Sequence, residues 1–271
     1  MINTSTEIDT LKDNKLFSIC TLVTDLNEYK EMLDSFEKAG FIEEFCEFLF
    51  IDNSQTNKYD GYSGFNKFLN KASGKYIILC HQDILLKFDN IEVLKQRIEE
   101  VNQLDQSWAI LANAGYGDFN YYSIRITDPH TKNKNSKIFP SKVKTVDENF
   151  IVVKNEANLA CSHNIEGFHL YGTDLCIVAD ILGYSAYVIN FHLFHKSGGN
   201  PNKDFYINKN RFIKKYKNVI SNKFLRTPVT PLFISSNSFL NLLCNMQRCY
   251  NLKSRWNYLV EKFKKNNSKG K

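Results

Sequence analysis

Within the first 80 residues, apolar β-branched runs alternate with stretches of helical periodicity at a spacing that leaves few folds open. Residues 16–23 read as a strand. Residues 26–39 carry Tyr29, Met32, Leu33 and Phe36 on one helical face, and Gly40 stands where a left-handed residue ends a helix. Residues 45–51 are a second strand running into Asp52-Asn53-Ser54. Residues 64–72 are a second helix, with Phe65, Phe68 and Leu69 on one side and Ser73-Gly74 as its stop, and residues 76–80 are a third strand. Strands joined by helices of this length are predicted to pair in parallel through right-handed crossovers, because a twisted strand feeding a helix packs back onto its sheet in that hand. The expected fold class is therefore α/β, a mixed and mostly parallel sheet flanked by helices.

Farther along, residues 91–104 show a third helical pattern, residues 108–112 a strand, residues 149–154 and 186–191 further strands, and residues 174–182 a helix. Residues 118–144 are polar, with turns marked by Asp128-Pro129 and Phe139-Pro140, and read as a long loop of the kind that serves as a lid or acceptor segment. After Gly198-Gly199 the chain turns rich in Lys and Asn with aromatics interleaved. The expected organisation is a polar segment at 1–15, one α/β domain at 16–200 and a basic, aromatic-rich helical extension at 201–271.

Charge follows the same division. The formal net charge of +6 is concentrated from Lys203 onward, whereas residues 28–47 are rich in Glu and Asp. This asymmetry implies an anionic partner for the C-terminal part, either a membrane surface or nucleic acid. There Lys209, Arg211, Lys214, Lys215 and Lys217 alternate with Phe205, Tyr206, Phe212 and Tyr216. A helix packed on the domain and a peripheral face for anionic lipid both fit that pattern. The apolar runs fall far short of the roughly 18–20 residues that a membrane span requires, and residues 1–14 are too polar for a signal peptide. Seven cysteines scattered through apolar runs, with no Cys-x-x-Cys pair, read as buried free thiols in a reducing compartment and argue against a zinc motif.

Ligands of open α/β sheets sit beyond the carboxyl ends of the strands. Three polar clusters fall there: Thr24-Asp25, Asp52-Asn53-Ser54 and His81-Gln82-Asp83. Neither Gly-x-Gly-x-x-Gly nor a P-loop pattern occurs, which removes the main support for dinucleotide or P-loop chemistry. His81-Gln82-Asp83 suits a different task. A nucleoside diphosphate is a poor leaving group until its charge is neutralised, which Mg2+ or Mn2+ does when held by carboxylate and imidazole ligands. Asp83 would be the hard ligand with His81 alongside, and His195, placed after a strand and before Lys196-Ser197-Gly198-Gly199, a second contact for metal or phosphate.

Taken in order, these segments resemble family 2 glycosyltransferases, which have the GT-A fold. Phe17-Ser18-Ile19-Cys20-Thr21 is similar to their opening strand, and Leu49-Phe50-Ile51-Asp52-Asn53-Ser54 to their second, whose Asp contacts the nucleotide base. Residues 66–76, from Asn66 through Ala72-Ser73-Gly74-Lys75-Tyr76, resemble the family's Asn-x-Gly…Ala-x-Gly-x-Tyr segment. His81-Gln82-Asp83 stands in place of Asp-x-Asp. Tyr171-Gly172-Thr173-Asp174-Leu175-Cys176 looks like the acidic helix start beside the acceptor, and His195-Lys196-Ser197-Gly198-Gly199 like the closing His motif. The resemblance spans residues 16–199. It implies a nucleoside-diphosphate-sugar donor held by Thr24, Asp52, Asn53, Asn66, His81 and Asp83, and a divalent metal (Mn2+ or Mg2+) on Asp83 and His195. It further implies transfer to a hydroxyl of a growing surface glycan or lipid-linked acceptor, in an enzyme that is cytoplasmic or peripheral at the inner membrane face.

Two departures stand out. Asp-x-Asp keeps only its last acid, and the usual base position falls on Gly172. An inverting transfer needs a base near the acceptor hydroxyl. Asp174 is the expected base, with Asp147, Glu148 and His169 as alternatives and a helix N-cap as the other role open to Asp174. A non-catalytic sugar-nucleotide binder and a basic nucleic-acid-binding protein are the rival readings. No nucleic-acid motif supports the second, and no nucleic-acid partner is expected.

Overall fold

The computed structural model describes residues 15–118, 121–130, 132–136, 138–197, 203–220, 222–226 and 231–245. The expected polar segment before Lys15, the Gly198-Gly199 pair and residues 246–271 of the expected extension lie outside them.

The chain opens with β1 (Lys15–Val23), α1 (Leu26–Lys38), β2 (Cys46–Asp52), α2 (Gly61–Lys71) and β3 (Gly74–Cys80). Tyr29, Met32 and Phe36 form the buried face of α1, and Gly40, at φ +87°, closes it as its position demands. α2 starts three residues earlier than periodicity suggests, because Asp60 and Ser63 form a reciprocal capping box. Gly74 has a packing reason as well: a Cβ there would lie 2.6 Å from the Ser18 backbone nitrogen, so only glycine lets β3 begin beside β1.

There follow β4 (Ile84–Leu85), α3 (Ile91–Leu104), β5 (Trp108–Ala112), β6 (Ala114–Tyr116), β7 (Tyr122–Thr127), β8 (Lys134–Asn135), β9 (Ser141–Val143), β10 (Thr145–Val146) and β11 (Phe150–Lys154). The long loop expected at 118–144 thus contains three strands, β7, β8 and β9. Tyr122-Ser123-Ile124-Arg125-Ile126-Thr127 alternates at period two, with Ile124 and Ile126 buried, and the polar composition around it masks the alternation. The expected lid contributes β7 and β8 to a second sheet and β9 to the edge of the main one. α4 (Tyr171–Ile181), β12 (Ser185–Val188), β13 (Leu193–His195) and α5 (Lys203–Ile220) complete this part of the chain.

The main sheet has seven strands in the order β2-β1-β3-β11-β5-β12-β9. β1 pairs in parallel with both β2 and β3, as the crossover argument requires, and β5 with β12. The β3–β11, β11–β5 and β12–β9 ladders are antiparallel. A second sheet runs β10-β6-β7-β13-β4. The core lies between the main sheet and α1 and α3, built on Phe17, Ile19, Met32, Phe36, Ile78, Leu94, Trp108 and Phe150, each fully buried. Burial of a side chain of this size contributes about 1.5–3 kcal/mol. Cys20, Cys46, Cys80, Cys161 and Cys176 are buried free thiols.

The chain divides into two compact units, Met1–Lys209 and Asn210–Lys271, with the division inside α5. The second unit adds an antiparallel hairpin, β14 (Lys223–Arg226) and β15 (Pro231–Ile234), and α6 (Ser238–Asn245), so the extension is not purely helical. Among the described residues, no helix is long and apolar enough to cross a membrane.

Candidate functional site

Chain register brings the key residues together. β3 ends at Cys80, the next three residues are His81-Gln82-Asp83, and β4 follows at once. β4 pairs antiparallel with β13 so that His195 lies opposite Ile84, and the Lys196 N–H donates to the Asp83 carbonyl at 3.0 Å. His195 therefore reaches the end of β3. Its Nε2 is 3.3 Å from Asp83 Oδ2, and His81 Nδ1 is 4.0 Å from Asp83 Oδ1. One potential ligand atom from each of the three residues falls within 4.8 Å of the others.

The electrostatics favour an ionised carboxylate at Asp83. Burial opposes ionisation of Asp83, yet hydrogen bonds from His195 and Ser197 and the adjacent imidazoles more than offset it and hold its carboxyl well below the usual range. Burial above all, aided by His195, lowers the pKa of His81 despite the nearby Asp83, which keeps its ring neutral. A carboxylate flanked by two imidazoles is a fitting donor set for a divalent ion.

The middle residue, Gln82, uses both ends of its amide. Its Oε1 accepts from the Thr24 and Asp25 N–H groups at 2.7 and 3.0 Å, and its Nε2 donates to Thr24 Oγ1 and Glu28 Oε2, both at 3.1 Å. This fixes the turn from β1 into α1, where Asp25 caps the helix by accepting from Asn27 and Glu28. Lys196 bridges Glu28 and Glu31 at 3.1 and 2.8 Å, closing the same side. The resulting cleft, ≈ 310 Å³, is walled by Leu22, Phe65, Phe168 and Tyr171, with Thr24, His81, Asp83 and His169 supplying polar groups.

The other residues expected at the site go elsewhere. Asp52 accepts from the Ser54 N–H at 2.8 Å at the end of β2, and its carboxyl is held below the usual range by Ser54. Asn53 is buried and spent on its own loop, accepting from the Lys58 N–H at 3.0 Å and donating to the Tyr59 carbonyl at 2.8 Å. Asn66 makes a two-way bond with the Cys161 backbone, at 2.9 and 2.7 Å, and lines a larger cavity of ≈ 930 Å³ between α2 and residues 162–166. None of the three lines the aromatic cleft.

Asp174 departs furthest from expectation. It is fully buried, and its two carboxylate oxygens accept from the Ser162 N–H and hydroxyl, each at 2.6 Å. It is not the cap of α4 either; that position is Leu170, left-handed at φ +70° with no side-chain hydrogen bond. Asp174 ties the segment before α4 to the helix and presents no oxygen to an acceptor. A side chain at Gly172 would be crowded, since a Cβ would lie 3.0 Å from the Val146 carbonyl oxygen and 3.2 Å from Ile151 Cδ1.

The carboxylate that meets the backbone of Gly172 is that of Glu148. Its carboxylate accepts from the backbone N–H groups of Leu170 and Gly172 at the start of α4. Burial, and next the neighbouring charge of Asp147, push its pKa up to about 8 in spite of those bonds. Two further residues give no sequence signal of their role. Gln82 passes for a spacer inside a short motif. Tyr171 passes for a core aromatic, but its hydroxyl is 3.0 Å from His81 Nε2.

No family model matches the chain. A mannosyltransferase from Pyrobaculum calidifontis, solved with GDP-Man and Mn2+, superposes with a TM-score of 0.50 at 11% identity, covering 76% of this chain and 66% of that one. TarS of S. aureus superposes at 0.47 with 12% identity, over 70% of this chain and 38% of that one. The likeness to the mannosyltransferase is one of fold, and the fold is GT-A-like. In sequence, the ATP synthase subunits region ORF 6 protein of Fuscovulum blasticum is 32% identical over 208 residues, which span 74% of this chain and 84% of the relative. At that identity and coverage, the protein belongs to the same family as the Fuscovulum blasticum ORF 6 protein.

Proposed function

We propose that the protein is a glycosyltransferase that moves a sugar from a nucleoside-diphosphate sugar to a hydroxyl of a growing surface glycan, with a divalent ion on the diphosphate. One observation carries the reading: His81, Asp83 and His195 meet at the mouth of an aromatic cleft beyond the carboxyl ends of β1 and β3. The described residues that line this cleft include neither Lys nor Arg, and Lys196 nearby is committed to Glu28 and Glu31. Neutralising a diphosphate leaving group therefore falls to an ion held by Asp83, His195 and His81, whose chemistry when bound is charge stabilisation. The mannosyltransferase of similar fold, solved with GDP-Man and Mn2+, is in keeping with this donor and ion.

The chain's own residues supply the rest. Thr24, fixed by Gln82, borders the nucleotide end of the cleft. Glu148, at the start of α4, takes the proton of the acceptor hydroxyl as its oxygen bonds to the sugar and the bond to the diphosphate breaks, an inverting displacement. Residues 16–200 form the catalytic part. Residues 201–271 serve as a peripheral contact with anionic lipid at the cytoplasmic face of the membrane, where a lipid-linked acceptor would lie. α5 supports this with exposed Tyr206, Ile207 and Ile213 among Lys209, Arg211, Lys214 and Lys217.

Incubation with a panel of nucleotide sugars, scoring donor hydrolysis and thermal shift with and without metal, tests the reading; no response to any donor overturns it. Sedimentation with anionic vesicles, strong at low salt and fading as ionic strength rises, tests the lipid contact. The packing around Gly172 favours one second reading, a sugar-nucleotide binder without turnover, which predicts metal-dependent donor binding and no hydrolysis or transfer.

A further inference from the structure

The protonation of His81 can be read from its partners. The Tyr171 hydroxyl is 3.3 Å from the Glu148 carbonyl oxygen and 3.0 Å from His81 Nε2. A carbonyl only accepts, so the hydroxyl spends its single proton on Glu148 and accepts from His81. The ring proton is then on Nε2, and the lone pair is on Nδ1, the atom that faces Asp83. His195 offers Nε2 to the same carboxylate.

Tyr171 is held for this task. It is 2% exposed, packs on Phe65 at 4.6 Å, and meets Tyr62 edge-on at 6.3 Å. A Cβ on Gly61 would lie 2.8 Å from Tyr171 Cδ1, so the first residue of α2 has to be glycine for the ring to fit. Leu170, immediately before it, holds a left-handed conformation that costs on the order of 1 kcal/mol or more for a leucine. Tight packing and local strain converge on the side chain whose hydroxyl meets His81.

We propose that Tyr171 is a positioning residue that presents His81 Nδ1 as a third metal ligand, so that the site selects a borderline first-row ion such as Co2+, Fe2+ or Zn2+ against Mg2+. The inference rests on the same metal site as the glycosyltransferase reading. Imidazole nitrogen suits these ions, whereas Mg2+ takes oxygen ligands in near-ideal octahedral geometry and gives up water reluctantly. Two of the three protein donors here are nitrogen. Partners that orient a ligating imidazole set its tautomer and basicity, and losing one typically lowers metal affinity about 10–100-fold.

The experiment is calorimetric titration of the metal-free full-length protein with Co2+, Mn2+ and Mg2+ at neutral pH, with the visible spectrum of the Co2+ form as a second readout. Wild type is expected to bind Co2+ at least about tenfold more tightly than Mg2+. Tyr171→Phe, which keeps the ring against Phe65, should weaken Co2+ by about 10–100-fold and leave Mg2+ little changed. His81→Asp should raise Mg2+ relative to Co2+ by about tenfold or more. Its side chain is 39% exposed, so this variant carries the test if Tyr171→Phe fails to fold. Equal affinity of wild type for Co2+ and Mg2+ overturns the inference, as does an unchanged Co2+ affinity in a folded Tyr171→Phe. Titration with UDP and GDP at saturating metal separates the two ideas. Metal-dependent nucleotide binding without ion preference ends this inference and leaves the glycosyltransferase reading standing. Ion preference without nucleotide binding does the reverse.

Discussion

Replacing Asp174 separates a structural carboxylate from a catalytic one. The side chain is fully buried and accepts two 2.6 Å hydrogen bonds from Ser162. Asp174→Ala leaves the Ser162 N–H and hydroxyl without that acceptor in a dry environment, at about 1–3 kcal/mol per orphaned group, so a total loss of about 2–6 kcal/mol is expected. For a domain of this size that corresponds to a melting point lower by about 4–24 °C. Asp174→Asn should cost much less. Its Oδ1 accepts from the Ser162 N–H, and its Nδ2 donates to the Ser162 oxygen, whose proton rotates away, so both contacts persist without charge assistance. About 1–2 kcal/mol is the expected loss. Urea unfolding followed by circular dichroism measures both, because a shifted midpoint at constant slope reports stability alone. Turnover by the folded Asn variant should stay within about threefold of wild type, since a general base contributes about 100-fold or more and this residue is not one. Native stability with abolished turnover in Asp174→Asn would refute the reasoning and restore Asp174 as the base.

Three further outcomes follow from the site. Glu148→Gln should lower turnover about 100-fold or more at unchanged donor affinity, and the wild-type rate should climb with pH until Glu148 ionises near about 8; a flat profile over that range removes Glu148 from the role. Because the folded-state pKa of Glu148 lies above its unfolded value, the native state holds the extra proton. Its stabilising contribution is full in acid and is lost as pH rises towards about 8, a trend that Glu148→Gln should flatten in unfolding titrations. Asp83→Ala should abolish metal-dependent nucleoside diphosphate binding with the fold intact, and His195→Ala should weaken the diphosphate more than the nucleoside; equal losses for both ligands in the second variant would count against a phosphate-side His195. Gly172→Asp should destabilise the protein and restore no base, because the Val146 carbonyl stands in the way; increased turnover would contradict the packing.

Much of the fold was legible because local rules act alone there. The α1 face of Tyr29, Met32 and Phe36, the Gly40 stop and the limits of α3 and β5 follow from periodicity and caps, and crossover handedness then forces the parallel β2-β1-β3 set. His81-Gln82-Asp83 after β3 was equally visible, since a strand end is fixed by its own sequence. Residues 118–144 were misread because alternation over one six-residue strand is a weak signal inside a polar stretch, and pairing with β6 and with the distant β13 decides it. The site divides in the same way. Residue types along the chain nominate Asn53, Asn66 and Asp174 as readily as Asp83, because a polar side chain at a strand or helix end looks the same whether it faces a ligand or a backbone. Only the tertiary structure spends Asn53 on Tyr59, Asn66 on Cys161 and Asp174 on Ser162. The same structure sets His195 against Asp83 through the β13–β4 register, and Tyr171 against His81 through a strained turn. A hydrogen bond is satisfied by whatever partner folding delivers, and that partner is a property of packing rather than of the residue.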